Sequence, residues 1–162
     1  GWSFGPAGVL NKMKAILSHV GAWAPMPEQK GLTKFLGQSE SINTYFTHFK
    51  AEVEERLRRI YEGFVQLKGE GFAVDAVAPE AAIYLTIKID LAGKKTAEGK
   101  VLASQADVTA YLLQAAGLAI VPFYAFGASN TSPWYRLSVG TCKKEEIDEM
   151  LQKLKAALGQ LS

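Results

Sequence analysis

Eight apolar residues, Ile42, Phe46, Phe49, Val53, Leu57, Ile60, Phe64 and Leu67, recur at intervals of three and four. That rhythm leaves one continuous stripe on a single helix of about seven turns, roughly 39 Å long at the α-helical rise. Ser39 is the expected N-cap, with Glu40 behind it, and Gly69 and Gly71 end the run. Glu52–Arg56, Glu54–Arg58 and Glu55–Arg59 are spaced as i,i+4 ion pairs in the favourable order, and Lys68 sits at the negative end of the helix dipole. A helix this long exceeds what a small core requires, so it reads as a connector between two bodies.

The flanking segments have different periods. Upstream, Pro6 suits a helix start, and Val9, Leu10, Met13, Ile16, Leu17 and Val20 share one helical face that Gly21 closes. A turn at residues 24–27 leads to a shorter helix carrying Leu32, Phe35 and Leu36, stopped by Gly37. Downstream, Ile83, Leu85, Ile87 and Ile89 alternate with Tyr84, Thr86 and Lys88, which is the pattern of a half-buried strand. Residues 90–103 read as polar loop. Ser104 to Asp107 resembles a capping box opening a helix with Val108, Tyr111, Leu112 and Ala115, ended by Gly117. Residues 118–121 read as a short buried strand closed by Pro122, and 134–139 as another. A last helix over 145–158 turns Ile147, Met150, Leu151, Leu154 and Leu158 inward. The expectation is an α+β fold, an α/β sandwich: a sheet of about three to four strands packed by helices, with an N-terminal helical arm and one long connector helix.

At 162 residues, 48% hydrophobic and 21% charged, the chain has enough apolar material for one sizeable core. A net charge of +2 gives no electrostatic footprint for nucleic acid or an anionic membrane. No stretch approaches the roughly 20 apolar residues of a membrane span. The single cysteine, Cys142, fits a reducing cytoplasm. The start at Gly1-Trp2-Ser3 has neither a signal-peptide pattern nor an initiator Met, and reads as the interior of a longer protein.

Few constellations carry chemistry. His19 and His48 have no second ligand at helical spacing, so no metal site is expected, and they read as surface or packing residues. Cys142 lies before a helix, where the N-terminus could lower its pKa, but it reads more simply as a structural thiol. Lys94, Lys95 and Lys100 read as a solvated loop. Arg136 stands apart. On the strand 134–139, Tyr135, Leu137 and Val139 share one face, while Arg136 points the other way with Trp134 and Ser138. A guanidinium held on a strand by its two aromatic neighbours suits bidentate capture of a carboxylate. Residue type alone leaves a solvated strand arginine as the competing reading.

Six segments, taken in order, resemble the small domain of fold-type-I aminotransferases of class I/II. Residues 1–6 (GWSFGP) resemble the passage that follows the cofactor lysine and a phosphate-binding arginine. Residues 18–29 resemble the helix and loop that reach the dimer-related active site. The helix 42–67 is similar to the connector between large and small domains. Pro79-Glu80-Ala81-Ala82-Ile83-Tyr84 resembles the Pro-x-Gly-Ala-Phe-Tyr entry to the first small-domain strand. Residues 119–127 (AIVPFYAFG) resemble Val-x-Val-x-Pro-Gly-x-x-Phe-Gly. Tyr135-Arg136-Leu137-Ser138 resembles the strand whose arginine binds the substrate α-carboxylate.

The resemblance implies a pyridoxal 5'-phosphate (PLP) dependent parent that exchanges an amino group between an amino acid and a 2-oxo acid, and that works as a homodimer. It implies residues 1–38 as an arm leading from a large cofactor-binding domain, and 39–162 as the small domain. It makes Arg136 the carboxylate ligand, with Trp23, Phe123 and Tyr124 beside the substrate. Two departures stand out: Ala81 replaces the usual Gly, and Phe123-Tyr124 replaces a Gly-Ser type pair. No lysine stands in the cofactor motif, since Lys12 and Lys14 lie on a helix after it, so the catalytic lysine is expected upstream of Gly1. These residues alone are then expected to bind no PLP and to be inactive. The rival readings are a free-standing binding or regulatory α+β module and a pseudo-enzyme with a decayed cofactor site.

Overall fold

A computed structural model describes residues 3–22 and 24–162, so the expectation for Trp23 lies outside the described residues. The chain divides into two units, Gly1–Thr47 and His48–Ser162. The first carries α1 (Ala7–Val20), α2 (Met26–Leu36) and the opening residues of α3 (Ser39–Gly69). Pro6 takes the position just before α1, and Gly21 ends that helix at φ 71°, a left-handed conformation that glycine adopts without a side-chain clash. Neither α1 nor α2 has a buried residue, so Val9, Ile16, Leu32 and Leu36 stand exposed.

α3 is longer than its stripe predicts. Ser39 is its first helical residue rather than its cap, and the Ile42 N–H bonds the Gln38 carbonyl at 3.1 Å. Within the second unit the stripe divides in two. Leu57, Ile60, Phe64 and Leu67 are buried, whereas Phe49 is 42% exposed.

The ion pairs depart from the simple i,i+4 scheme. Glu52–Arg56 forms at 3.3 Å, but Arg58 pairs forward with Glu62 at 2.9 Å. Arg59 reaches Asp148 at 2.8 Å, while Lys144 binds both Glu52 and Glu55 at 2.9 Å. For Glu55 and Arg59, partners brought in by the tertiary fold displace the local pair. The Lys144 hydrogen bond holds the Glu52 carboxyl below its ordinary range, and Glu52 and Glu55 together raise the Lys144 ammonium. Lys68 bonds Asp75 at 2.6 Å.

Four strands form one antiparallel sheet in the order β1-β2-β4-β3, with β1 at Val74–Ala76, β2 at Tyr84–Ile89, β3 at Val121–Pro122 and β4 at Trp134–Ser138. β1 has three residues, too few for an alternation to register in the sequence. β3 is shorter than the strand expected over 118–121: Leu118 and Ile120 are buried without joining the ladder, and Pro122, lacking an N–H, sits at the sheet edge where a missing donor is tolerated. The segment 90–103 is more ordered than a polar loop. Leu91 and Leu102 are buried, and Lys95 bridges Val101.

α4 (Gln105–Ala116) opens with the expected box: the Asp107 N–H donates to Ser104 Oγ at 3.2 Å, and the Ser104 N–H donates to Asp107 Oδ2 at 3.0 Å. α5 (Ile147–Gly159) follows a 3-10 turn at Lys144–Glu146. Gly63 of α3 lies against Leu151 of α5, where a methyl group would overlap the leucine side chain. The Tyr111 hydroxyl of α4 donates to the Ala157 carbonyl of α5 at 2.6 Å. Helices and sheet share one core: Ile60, Phe64, Val108, Leu112, Ile147 and Leu154 with Leu85, Ile87, Tyr135 and Leu137. The α+β class is therefore the one expected.

Candidate functional site

Strand alternation decides what faces the core. On β2, Leu85, Ile87 and Ile89 are buried and Tyr84, Thr86 and Lys88 are not; on β4, Tyr135 and Leu137 are buried and Trp134, Arg136 and Ser138 are not. Register pairs Thr86 with Arg136, Tyr84 with Ser138 and Lys88 with Trp134, and places Val121 on the other side of Arg136. Arg136 thus sits on an inner strand, on the face of the sheet turned away from the core.

Two rings hold its guanidinium. The Arg136 Cζ lies 4.4 Å from the Tyr84 ring centroid and 4.5 Å from that of Phe126. Tyr84 arrives as a cross-strand diagonal neighbour, and Phe126 from the 3-10 turn Phe123–Phe126 between β3 and β4. These are not the aromatic neighbours that the sequence suggests. Tyr135, next in the chain, turns into the core, where its hydroxyl donates to Gln105 and burial pushes its pKa up. Tyr84 and Phe126 fall within quoted motifs, yet only the register and the turn bring them over the arginine.

Among the described residues the Arg136 side chain makes no ion pair and no hydrogen bond. A charge stacked between two rings with its edge unclaimed is suited to an oxyanion, because a guanidinium presents paired N–H donors in its own plane. Phe123 packs edge-on against Phe126, with centroids 6.3 Å apart, so it buttresses the ring over the arginine. Tyr124 is on the same turn.

Other sequence candidates stay apart from this face. The Cys142 thiol is raised, not lowered, because burial and the Glu146 carboxylate outweigh the nearby arginines. Among the described residues no group of His, Cys, Asp or Glu could hold a metal, and no helix is long and apolar enough to cross a membrane. Lys94, Lys95 and Lys100 are exposed, and Lys100 pairs with Asp107 at 3.5 Å. A groove of about 640 Å³ runs between Phe49, Val53, Leu57 and Tyr61 of α3 and residues 79–83, but Arg136 does not line it. Ala82, at the groove's edge, has φ 65°, a left-handed position uncommon for a residue with a side chain.

An α+β domain with a covered face and an arginine-bearing open face is the class that fold and site define. The model of the family described as aminotransferase class I and II matches residues 1–154, and the chain belongs to that family. It is 39% identical over 85 residues to a probable aspartate/prephenate aminotransferase of Rickettsia felis, covering 52% of this chain and 20% of that one. An aspartate aminotransferase of Rhizobium meliloti is 28% identical over 164 residues, which span 100% of this chain and 37% of the relative. The crystal structure of the aspartate aminotransferase from Rhizobium meliloti superposes with a TM-score of 0.62 at 30% identity, covering 73% of this chain and 28% of that chain. The aromatic aminotransferase from Pyrococcus horikoshii shares the fold, with a TM-score of 0.59 at 19% identity over 74% of this chain and 28% of that one. The chain therefore spans between a fifth and just over a third of the length of these relatives.

Enzymes of this family depend on PLP. Of the lysines, Lys88 shares the open face and pairs with Asp90 at 3.3 Å, and Lys12 and Lys14 stand exposed on α1. What the open face offers is a guanidinium against two rings, 4.4 and 4.5 Å from their centroids.

Proposed function

We propose that residues 1–162 are the carboxy-terminal part of a PLP-dependent aminotransferase that moves an amino group between an amino acid and a 2-oxo acid, with Arg136 holding the carboxylate common to both. The observation that carries this reading is the Arg136 guanidinium, stacked between Tyr84 and Phe126 with no acidic partner among the described residues. Residues 1–38 are the arm from a large cofactor-binding domain, and 39–162 are the small domain. The enzyme is a cytoplasmic homodimer, and its cofactor lysine belongs to the large domain.

The role of these residues is to bind and orient. A two-hydrogen-bond fork from Arg136 fixes both carboxylate oxygens, and with them the direction of the α-carbon. The rings on either side keep water from the faces of the ion pair, which strengthens it. Phe123 and Tyr124, in place of smaller residues, line the approach to Arg136.

The test is a transamination assay on the full-length protein with PLP, using a panel of amino acids against a 2-oxo acid. Equimolar formation of the new amino acid and the new 2-oxo acid is expected, and the 162-residue segment alone is expected to give neither. A full-length protein that transfers no amino group from any donor contradicts the proposal. A covalent cofactor adduct on the segment that survives dialysis contradicts the placement of the lysine.

A further inference from the structure

We infer that Tyr84 and Phe126 form an aromatic clamp that sets the plane of the Arg136 guanidinium, making them positioning residues for the carboxylate rather than packing residues. The inference rests on the carboxylate reading of Arg136. Three observations carry it.

First, the rings come from separate places, Tyr84 from the start of β2 and Phe126 from the turn before β4, yet lie 4.4 and 4.5 Å from the same Arg136 carbon. Second, neither ring is needed by the core: Tyr84 is 41% and Phe126 56% exposed. Both stand outside the core cluster, and besides the edge contact of Phe126 with Phe123 their ring contact is with the cation. Third, no acidic side chain or carbonyl among the described residues bonds the guanidinium, so nothing else fixes its rotation.

An arginine has several rotatable bonds, and a free one samples many orientations of its fork. Two rings within 4.5 Å of its central carbon restrict the orientations open to the plane of the fork. A carboxylate approaching in that plane meets two donors without first having to order them, which is a gain by preorganisation. The clamp therefore acts through Arg136 and touches no reacting atom.

The test uses the full-length protein, with steady-state kinetics on the amino acid and equilibrium binding of the 2-oxo acid. Tyr84→Leu and Phe126→Leu, which keep apolar bulk and remove the flat face, should each raise KM and the 2-oxo acid Kd by about three- to thirtyfold, the factor expected for loss of a partly desolvated cation–π contact. kcat should stay within about twofold, because binding shared by ground and transition states is what is lost. Tyr84→Phe keeps the ring and should restore most of the loss. In an Arg136→Lys background the leucine substitutions should add nothing, since the group they position is gone.

Leucine variants with unchanged KM and Kd, or with the same effect in the Arg136→Lys background as in the wild type, overturn the clamp. Arg136→Lys weakening binding while the leucine variants do not removes the clamp and leaves the carboxylate site standing. Arg136→Lys without any loss removes the site itself. Circular dichroism and melting of each variant guard against misfolding, and an unfolded Leu variant is replaced by Tyr84→Met or Phe126→Met with the same expectation.

Discussion

Arg136→Lys in the full-length protein is expected to lower kcat/KM for amino acids by one to three decades, at about 1.4 kcal/mol per decade. Lysine keeps the positive charge but has one compact ammonium in place of a planar fork, so the substitution separates geometry from net electrostatics. Charge-assisted hydrogen bonds contribute about 1.5–3 kcal/mol, and leaving a charge unpaired in a desolvated site costs about 2–5 kcal/mol. Arg136 is half-buried between two rings and not enclosed, which places the expectation below the extreme of that range. The fold should survive, because the core face of β4 is made by Tyr135 and Leu137. Cofactor binding should be nearly unchanged, since the proposal locates its anchors in the large domain. Parallel titration of PLP and steady-state kinetics check both halves. Wild-type turnover in Arg136→Lys would remove Arg136 from the substrate site and place the carboxylate elsewhere.

The second large effect concerns stability. Phe64→Ala should destabilise the domain by about 3–5 kcal/mol, the usual cost of removing a fully buried aromatic ring and leaving a cavity. Phe64 has no exposed surface and lies in the core that joins α3 to the sheet and to α5. With a typical net stability of about 5–15 kcal/mol, that loss is a large fraction of the total. Val65, the next residue along the same helix, is 45% exposed. Val65→Ala should change stability by no more than about 0.5 kcal/mol. Urea denaturation of the two variants gives the comparison, through the midpoint at constant slope. Equal midpoints would mean that the burial of the α3 stripe has been misassigned.

The difference between those neighbouring residues was legible in the sequence, because a helix repeats its environment every 3.6 residues and the stripe from Leu57 to Leu67 follows it. Alternation on β2 and β4 was legible for the same kind of reason, and it put Arg136 on the correct side of the sheet. What the chain could not announce depends on distant pairing. β1 is three residues long and exists because β2 offers it an edge. Arg59 and Glu55 look like an i,i+4 pair, yet they take Asp148 and Lys144, which the fold delivers from more than eighty residues away. The same holds for the site. Arg136 was singled out by its motif, while the rings over it come from a β2–β4 register and a turn geometry that no local pattern encodes.

The fold and the family place this chain among class I and II aminotransferases, and the in-plane edge of Arg136 is the proposed place of the substrate carboxylate. A crystal structure of the full-length protein with a non-reactive amino-acid analogue tests it most directly. Both carboxylate oxygens are expected about 2.7–2.9 Å from two Arg136 nitrogens, in the guanidinium plane, with Tyr84 and Phe126 still against the guanidinium. A carboxylate held elsewhere, with Arg136 turned to solvent or paired to an acidic side chain of the protein, would contradict it.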